Sequence, residues 1–242
     1  MFDYLLYFLL TIFLSTLFAI AGLGSAVALV PSLNLAGLGF DLARASGLFV
    51  NSISTITMSI LNLKKNLFDK DFVLPLVFSS MIFAFIGSKI SLLIDTHIVQ
   101  LIFGYTLLII ASMILFFKKP TETKGNNKKS ILIFAGTIGG FFSGFLGIGG
   151  GSIISPILLL FGYDIKKIAL GISFVIPFSS IVAFTNYATV IDLDYMLLTI
   201  VGIGAYLGGI FGNYILHYKI SAIAIKRILA IALYIIAIKM IW

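Results

Sequence analysis

Ala21-Gly-Leu-Gly-Ser-Ala-Val-Ala-Leu-Val-Pro31 and Leu146-Gly-Ile-Gly-Gly-Gly-Ser-Ile-Ile-Ser-Pro156 are two copies of one phrase. Gly22, Gly24 and Pro31 fall on Gly147, Gly149 and Pro156 without a gap. Each copy interrupts an apolar stretch that would otherwise read as one very long helix. A hydrophobic segment broken by glycine in both halves of a chain points to the binding site of transporters built from internal repeats.

The surrounding composition fits a membrane protein. Of 242 residues, 60% are hydrophobic and 10% charged, and the mean hydropathy is +1.17. These values exclude an ordinary soluble domain. The longest polar stretch, Lys118 to Ser130, is a connector rather than a catalytic domain. The opening Met-Phe-Asp-Tyr lacks the positive n-region of a signal peptide, so the first apolar run is expected to be a retained membrane helix. With no cysteine, disulfides, thiolate metal sites and cysteine catalysis are excluded, while the compartment stays open. The net charge of +7 does not point to nucleic acid, because the lysines fall in short interhelical loops with no basic stripe or aromatic platform.

Apolar runs occupy roughly 4–22, 25–38, 43–62, 72–94 and 97–117, then 131–147, 150–162, 166–187, 195–217 and 221–241. Most have the ~20 residues that cross a hydrocarbon core. The second and seventh are too short, reaching about 20 Å at ~1.5 Å per residue. They are expected to be re-entrant half-helices or short helices whose ends sit within protein. Charge sets the orientation. With the N-terminus outside, the cytoplasmic connections hold Lys64, Lys65, Lys70, Lys118, Lys119, Lys124, Lys128, Lys129, Lys166, Lys167, Lys219, Lys226 and Arg227. The external side keeps only Arg44 and Lys239, while Lys89 lies within a helix. Both termini are therefore expected outside a prokaryotic inner membrane.

Parity then sets the relation between the halves. Residues 1–117 form a first repeat with its glycine turn at 22–26. Residues 118–130 form a cytoplasmic linker, and residues 131–242 form a second repeat with its turn at 147–152. In each half the glycine-broken hairpin ends on the side where it began, and three further helices cross the membrane. The fold class is thus an all-α polytopic membrane protein of two inverted-topology repeats, with a pseudo-twofold axis in the membrane plane. Weaker matches extend the repeat: Phe40-Asp41 with Tyr163-Asp164, Gly47 with Gly171, and Gly87 with Gly208.

A helix that starts inside a membrane has backbone N–H groups without intrahelical acceptors. It also carries roughly half a positive charge at that end. Glycine lets a ligand approach this backbone closely. The turns therefore read as an anion site, with substrate-binding candidates Gly22, Gly24, Ser25 and Ala26 in the first copy. Gly147, Gly149, Gly150, Gly151 and Ser152 are the candidates in the second. Asn51 joins them, because its amide carries two donors and an acceptor into an apolar helix. Most other intramembrane Ser and Thr residues are expected to bond backbone carbonyls of their own helices, and Asn213 to bridge helices. Gly136, Gly140 and Gly144, like Gly204, Gly208 and Gly212, read as small-residue packing stripes that serve internal contacts or a homodimer equally well. No carboxylate lies deep in a helix for a proton relay or sodium site. Arg44 reads as an interface anchor or a group that steers anions. No catalytic constellation, metal cluster or cofactor motif is present.

The paired Gly-x-Gly-x(6)-Pro phrases, followed by a charged turn and Ala-x-Gly, resemble the sulfite exporter TauE/SafE family over almost the whole chain. The second phrase matches the family's in full, whereas Ser25 and Ala26 of the first stand where glycines occur at Gly150 and Gly151. The resemblance implies transport of sulfite, sulfonates or related sulfur anions, often outward. The expected function is a secondary transporter working by alternating access, with a small anion and the lipid bilayer as partners and no nucleic acid. An anion channel built on the same turns, or a transporter of another small organic anion, remains the alternative. An intramembrane enzyme and a non-transporting assembly factor are further classes.

Overall fold

Why the described residues make ten helices follows from the punctuation of the sequence. In the computed structural model, which describes residues 2–21, 23–116, 128–217 and 222–242, those helices appear in chain order. They are α1 (Phe2–Ala21), α2 (Ala26–Leu35), α3 (Phe40–Leu63), α4 (Lys70–Ser91) and α5 (Thr96–Phe116). There follow α6 (Lys129–Leu146), α7 (Gly151–Leu160), α8 (Ile165–Ala188), α9 (Tyr195–His217) and α10 (Ala222–Ile241). Gly22, linker residues 118–127 and the side chains of Lys219, Lys226 and Arg227 lie outside the described residues. Seven helices are long and apolar enough to cross a membrane by length and composition, among the described residues. The chain is a multi-pass, all-helical membrane protein.

The short helices α2 and α7 have ten residues each. At ~1.5 Å per residue they rise about 15 Å, half a hydrocarbon core. Gly147, at φ +76°, caps the end of α6, while Gly24 and Gly149, at φ +82° and +69°, lie just before α2 and α7. Aspartates set two later helix starts. Asp69 accepts the N–H groups of Asp71 and Phe72 ahead of α4, and Asp194 accepts that of Leu197 at the start of α9.

Packing follows a pattern that survives exchange of the first five helices with the last five. The most extensive contacts join α4 to α6 and α1 to α9, while α4–α8 mirrors α3–α9 and α2–α3 mirrors α7–α8. The pairs α3–α8 and α5–α10 map onto themselves. Small residues make the two tightest seams. A Cβ on Gly140 or Gly144 of α6 would stand 2.4 Å from the Ser80 carbonyl oxygen or 2.0 Å from that of Ala84, both on α4. Likewise, a Cβ on Gly208 or Gly212 of α9 would meet Ser15 or Ala19 of α1 at 2.6 and 2.3 Å. The two glycine stripes thus lie inside the chain's own helix seams. Around the centre, α3 and α8 lie side by side, with the broken hairpins packed against them.

Candidate functional site

Both glycine turns converge on one side chain. Asn51 lies in the middle of α3 and is fully buried. Its Oδ1 accepts the backbone N–H of Ser25 at 3.0 Å, and its Nδ2 donates to Ser180 Oγ at 3.1 Å. A Cβ on Gly24 would stand 2.9 Å from Asn51 Oδ1, and one on Gly149 only 1.8 Å from Nδ2. One carboxamide thus fills the space that two missing side chains leave. The turns also abut each other, since a Cβ on Gly151 would lie 2.9 Å from the Leu23 carbonyl oxygen.

Asn51 is the middle rung of a polar ladder between α3 and α8. Arg44 Nη1 donates to Tyr187 Oη at 3.1 Å, and Asn62 Nδ2 donates to Ser173 Oγ at 3.2 Å. The rungs advance along α3 as they recede along α8, so the helices run antiparallel. Ser59 Oγ adds a bond to the Ser173 carbonyl at 2.6 Å. These rungs set three polar pairs along one seam of an otherwise apolar bundle.

A cavity of about 10 Å³ opens beside the middle rung, bounded by Ser15, Gly24, Ser25, Ser54, Thr55 and Ser173 among others. It has room for about one water. Ser54 Oγ and Thr55 Oγ1 spend their hydrogens on the Asn51 carbonyl. The hydroxyls of Ser15 and Ser25 are buried at 1% and 2% exposure and have no hydrogen-bond partner. An unsatisfied buried hydroxyl costs about 1–3 kcal/mol unless a solute meets it. Both hydroxyls line this one cavity at the start of α2.

Toward one end of the ladder lies a buried cation. Arg44, which reads from the sequence as an interface anchor or a group that steers anions, is 1% exposed and joins α3 to α4, α6 and α8. Its Nη1 donates to Ser91 Oγ at 2.6 Å and to the Phe145 carbonyl at 3.2 Å, and Nη2 pairs with Asp41. Asp41 also accepts from Thr96 Oγ1 at 2.8 Å. The guanidinium lies over the rings of Phe40 and Tyr187, at 5.1 and 4.9 Å from their centroids. Tyr187 Oη in turn donates to the Gly144 carbonyl at 2.9 Å. Because α6 stops inside the bundle, its last carbonyls would otherwise stand bare at the negative end of a helix dipole; Arg44 and Tyr187 satisfy them.

At the opposite end, Lys167 Nζ pairs with Asp69 Oδ2 at 2.8 Å. That hydrogen bond, aided by the N–H groups of Phe72 and Asp71, holds the Asp69 carboxyl below the usual carboxylate range, against a smaller opposing effect of burial. Lys167 also lies over the Phe72 ring at 5.2 Å. Nearby, Leu67, Asp164, Lys166 and Gly171 help bound a recess of about 260 Å³.

The candidates from the sequence divide into three groups. Gly24, Ser25, Asn51 and Gly149 meet at the middle rung. Ser152 is fully buried, and its Oγ reaches only the Gly149 carbonyl, at 3.5 Å. Gly147 packs on the Arg44 side chain, Gly150 on the Gly139 carbonyl, Gly151 on Ile172 and Ile176, and Ala26 lies near Gly47. Gly22 is outside the described residues. Asn213, expected to bridge helices, has a buried Oδ1 without a partner. Sequence reasoning passed over Asn62 and Tyr187 and misplaced Arg44. The available clue was spacing, because Arg44 and Asn51, like Ser180 and Tyr187, are seven apart and share a helical face.

Part of the chain is 33% identical over 156 residues to a Methanocaldococcus jannaschii protein described as a "probable membrane transporter protein". The match covers 62% of this chain and 57% of that relative's length. The family model described as "Sulfite exporter TauE/SafE" matches residues 7–240. That match spans nearly the whole chain, and the chain belongs to the sulfite exporter TauE/SafE family.

Proposed function

We propose that this protein is a secondary transporter of small sulfur-containing anions, such as sulfite or organosulfonates, and that it exports them by alternating access. The observation that carries this reading is the middle rung. Two broken-helix turns meet at Asn51, beside a cavity with two unpartnered hydroxyls and the N-terminus of α2. Backbone N–H groups, hydroxyls and an amide recognise an oxyanion without a fixed countercharge. The sulfur chemistry rests on the family.

Inverted halves supply the motion. The exchange pattern in the packing supports them, as does the antiparallel course of α3 beside α8. The α5–α10 contacts of Gly104 with Ile241 and Ser112 with Tyr234 also run antiparallel. With the termini outside, as the lysine distribution favours, the Arg44 cluster closes the outer side and the cavity lies on the inner side of Asn51. For a monovalent anion leaving a cell that is negative inside, the potential contributes about 2.3 kcal/mol per 100 mV. Export then needs no buried carboxylate.

Purified protein in liposomes, with sulfite or methanesulfonate loaded inside and a potassium diffusion potential imposed, tests this. Efflux is expected to saturate and to rise when the interior is made negative. It should fall at least about tenfold in Asn51→Leu, which leaves the Ser25 N–H and Ser180 without their partner. Flux that ignores voltage, or persists unchanged in Asn51→Leu, contradicts the reading. Unsaturable current without counterflow exchange would favour a channel.

A further inference from the structure

Arg44 is a buried cation whose hydrogen-bonding capacity is only partly used. A guanidinium offers five N–H donors, and its Nε and Nη2 hydrogens form one edge that matches two oxygens of an oxyanion. Here Nη1 is fully engaged by Ser91, Phe145 and Tyr187. On the other edge Asp41 bonds Nη2 alone, while Nε is buried and has no partner. The second oxygen of Asp41 is turned to Thr96. The carboxylate is therefore a one-point occupant of a two-point site. It is also the more exposed of the two, with 39% side-chain exposure against 2% for Arg44.

The location suits a solute leaving the middle rung. Arg44 and Asn51 are separated by two turns on one face of α3, about 10 Å along the axis. The Arg44 side chain packs on Gly147, whose absent Cβ would lie 2.8 Å from Arg44 Cβ. The equivalent position in the second half, from the match of Gly47 with Gly171, is Ile168, which is buried and apolar. By the match of Asp41 with Asp164 it is Lys167, which pairs with Asp69.

We propose that the Nε–Nη2 edge of Arg44 is a second oxyanion-binding station, which the substrate occupies by displacing the Asp41 carboxylate. Asp41 neutralises Arg44 while the station is empty and swings toward Thr96 and solvent when the anion arrives. The exchange replaces one counter-anion by another, so the buried guanidinium is never left bare. Arg44 is thereby the residue that selects for ligands with two coplanar oxygens over spherical anions. This inference rests on the anion-transport reading.

The test is equilibrium binding of radiolabelled sulfite to the purified full chain, with thermal unfolding followed alongside. The ligands are sulfite, methanesulfonate and chloride at constant ionic strength. Asp41→Asn keeps the size of the side chain and an acceptor for Thr96 but removes the competing charge. It is expected to bind sulfite at least threefold more tightly than the wild type. It should also unfold at lower temperature without ligand and regain that loss with sulfite or methanesulfonate, but much less with chloride. Adding Arg44→Lys, which retains the charge and loses the two-point edge, should abolish the gain. Unchanged or weaker sulfite binding in Asp41→Asn overturns the station, and so does equal rescue by chloride. If the Arg44 variants fail to fold, Asp41→Asn alone decides the matter. A wild type that binds neither sulfite nor methanesulfonate removes the transport reading itself. A wild type that binds them, with Asp41→Asn no tighter, removes only the station.

Discussion

Gly149 shows how much one absent methyl group can matter. Its φ of +69° lies where L side chains are strained by roughly 1–2 kcal/mol, and a Cβ there would overlap Asn51 Nδ2 at 1.8 Å. Gly149→Ala should therefore displace the Asn51 carboxamide from Ser25 and Ser180, and transport should fall by about tenfold or more. Gly39→Ala is the matched control, because nothing lies within 4 Å of that position and its φ is ordinary. Reconstituted flux of the two variants, normalised to folded protein, checks this; equal flux would mean that the turn does not govern the site. The glycines were legible because a cluster of them inside an apolar run has few other uses. Arg44 was not. Its place near the start of a helix reads as an interface cation, and no local pattern announces that Ser91, Phe145 and Tyr187 will close over it. Asn62 was missed for a related reason: near a helix end, an amide resembles a solvated cap until Ser173 arrives from α8.

Among the elements, the helix limits were readable from the apolar runs and the turn residues between them. The half-length of α2 and α7 was readable as shortness. Their partners were not, because nothing local to α2 specifies α3 and α10 as neighbours. The glycine stripes announced close seams without naming the opposing helix, which proves to be α4 for α6 and α1 for α9. One ion pair ties α4 to α8: Asp69, ahead of α4, bonds Lys167 in the first turn of α8. Because the Asp69 carboxyl titrates lower in the folded state, its contribution is present above the unfolded carboxylate pKa and disappears as pH falls through the folded value. Asp69→Asn should thus lower stability slightly at neutral pH and leave mutant and wild type alike in acid. Both partners are partly exposed, so the pair itself contributes at most about 1 kcal/mol. Unfolding temperatures in detergent at neutral and acid pH give the comparison. A difference that grows as pH falls would contradict the assignment.

At the scale of the whole molecule, the central claim is that the halves face opposite ways. The connection between α3 and α4 occupies the same place in the first half as the connection between α8 and α9 in the second. Parallel repeats would put both on one face of the membrane, whereas inverted repeats put them on opposite faces. The chain contains no cysteine, so single reporters can be introduced without background. Asn66 lies in the first connection, and Val190, 66% exposed, lies in the second. In sealed cells, a membrane-impermeant maleimide is expected to label Val190→Cys readily and Asn66→Cys only after permeabilisation. Leu93→Cys, 87% exposed between α4 and α5, should behave like Val190→Cys. Protection of Val190→Cys with exposure of Asn66→Cys would reverse the orientation but keep the inversion. Labelling of both from one side would remove the inversion, and with it the symmetric exchange of inner and outer access on which the proposed transport depends.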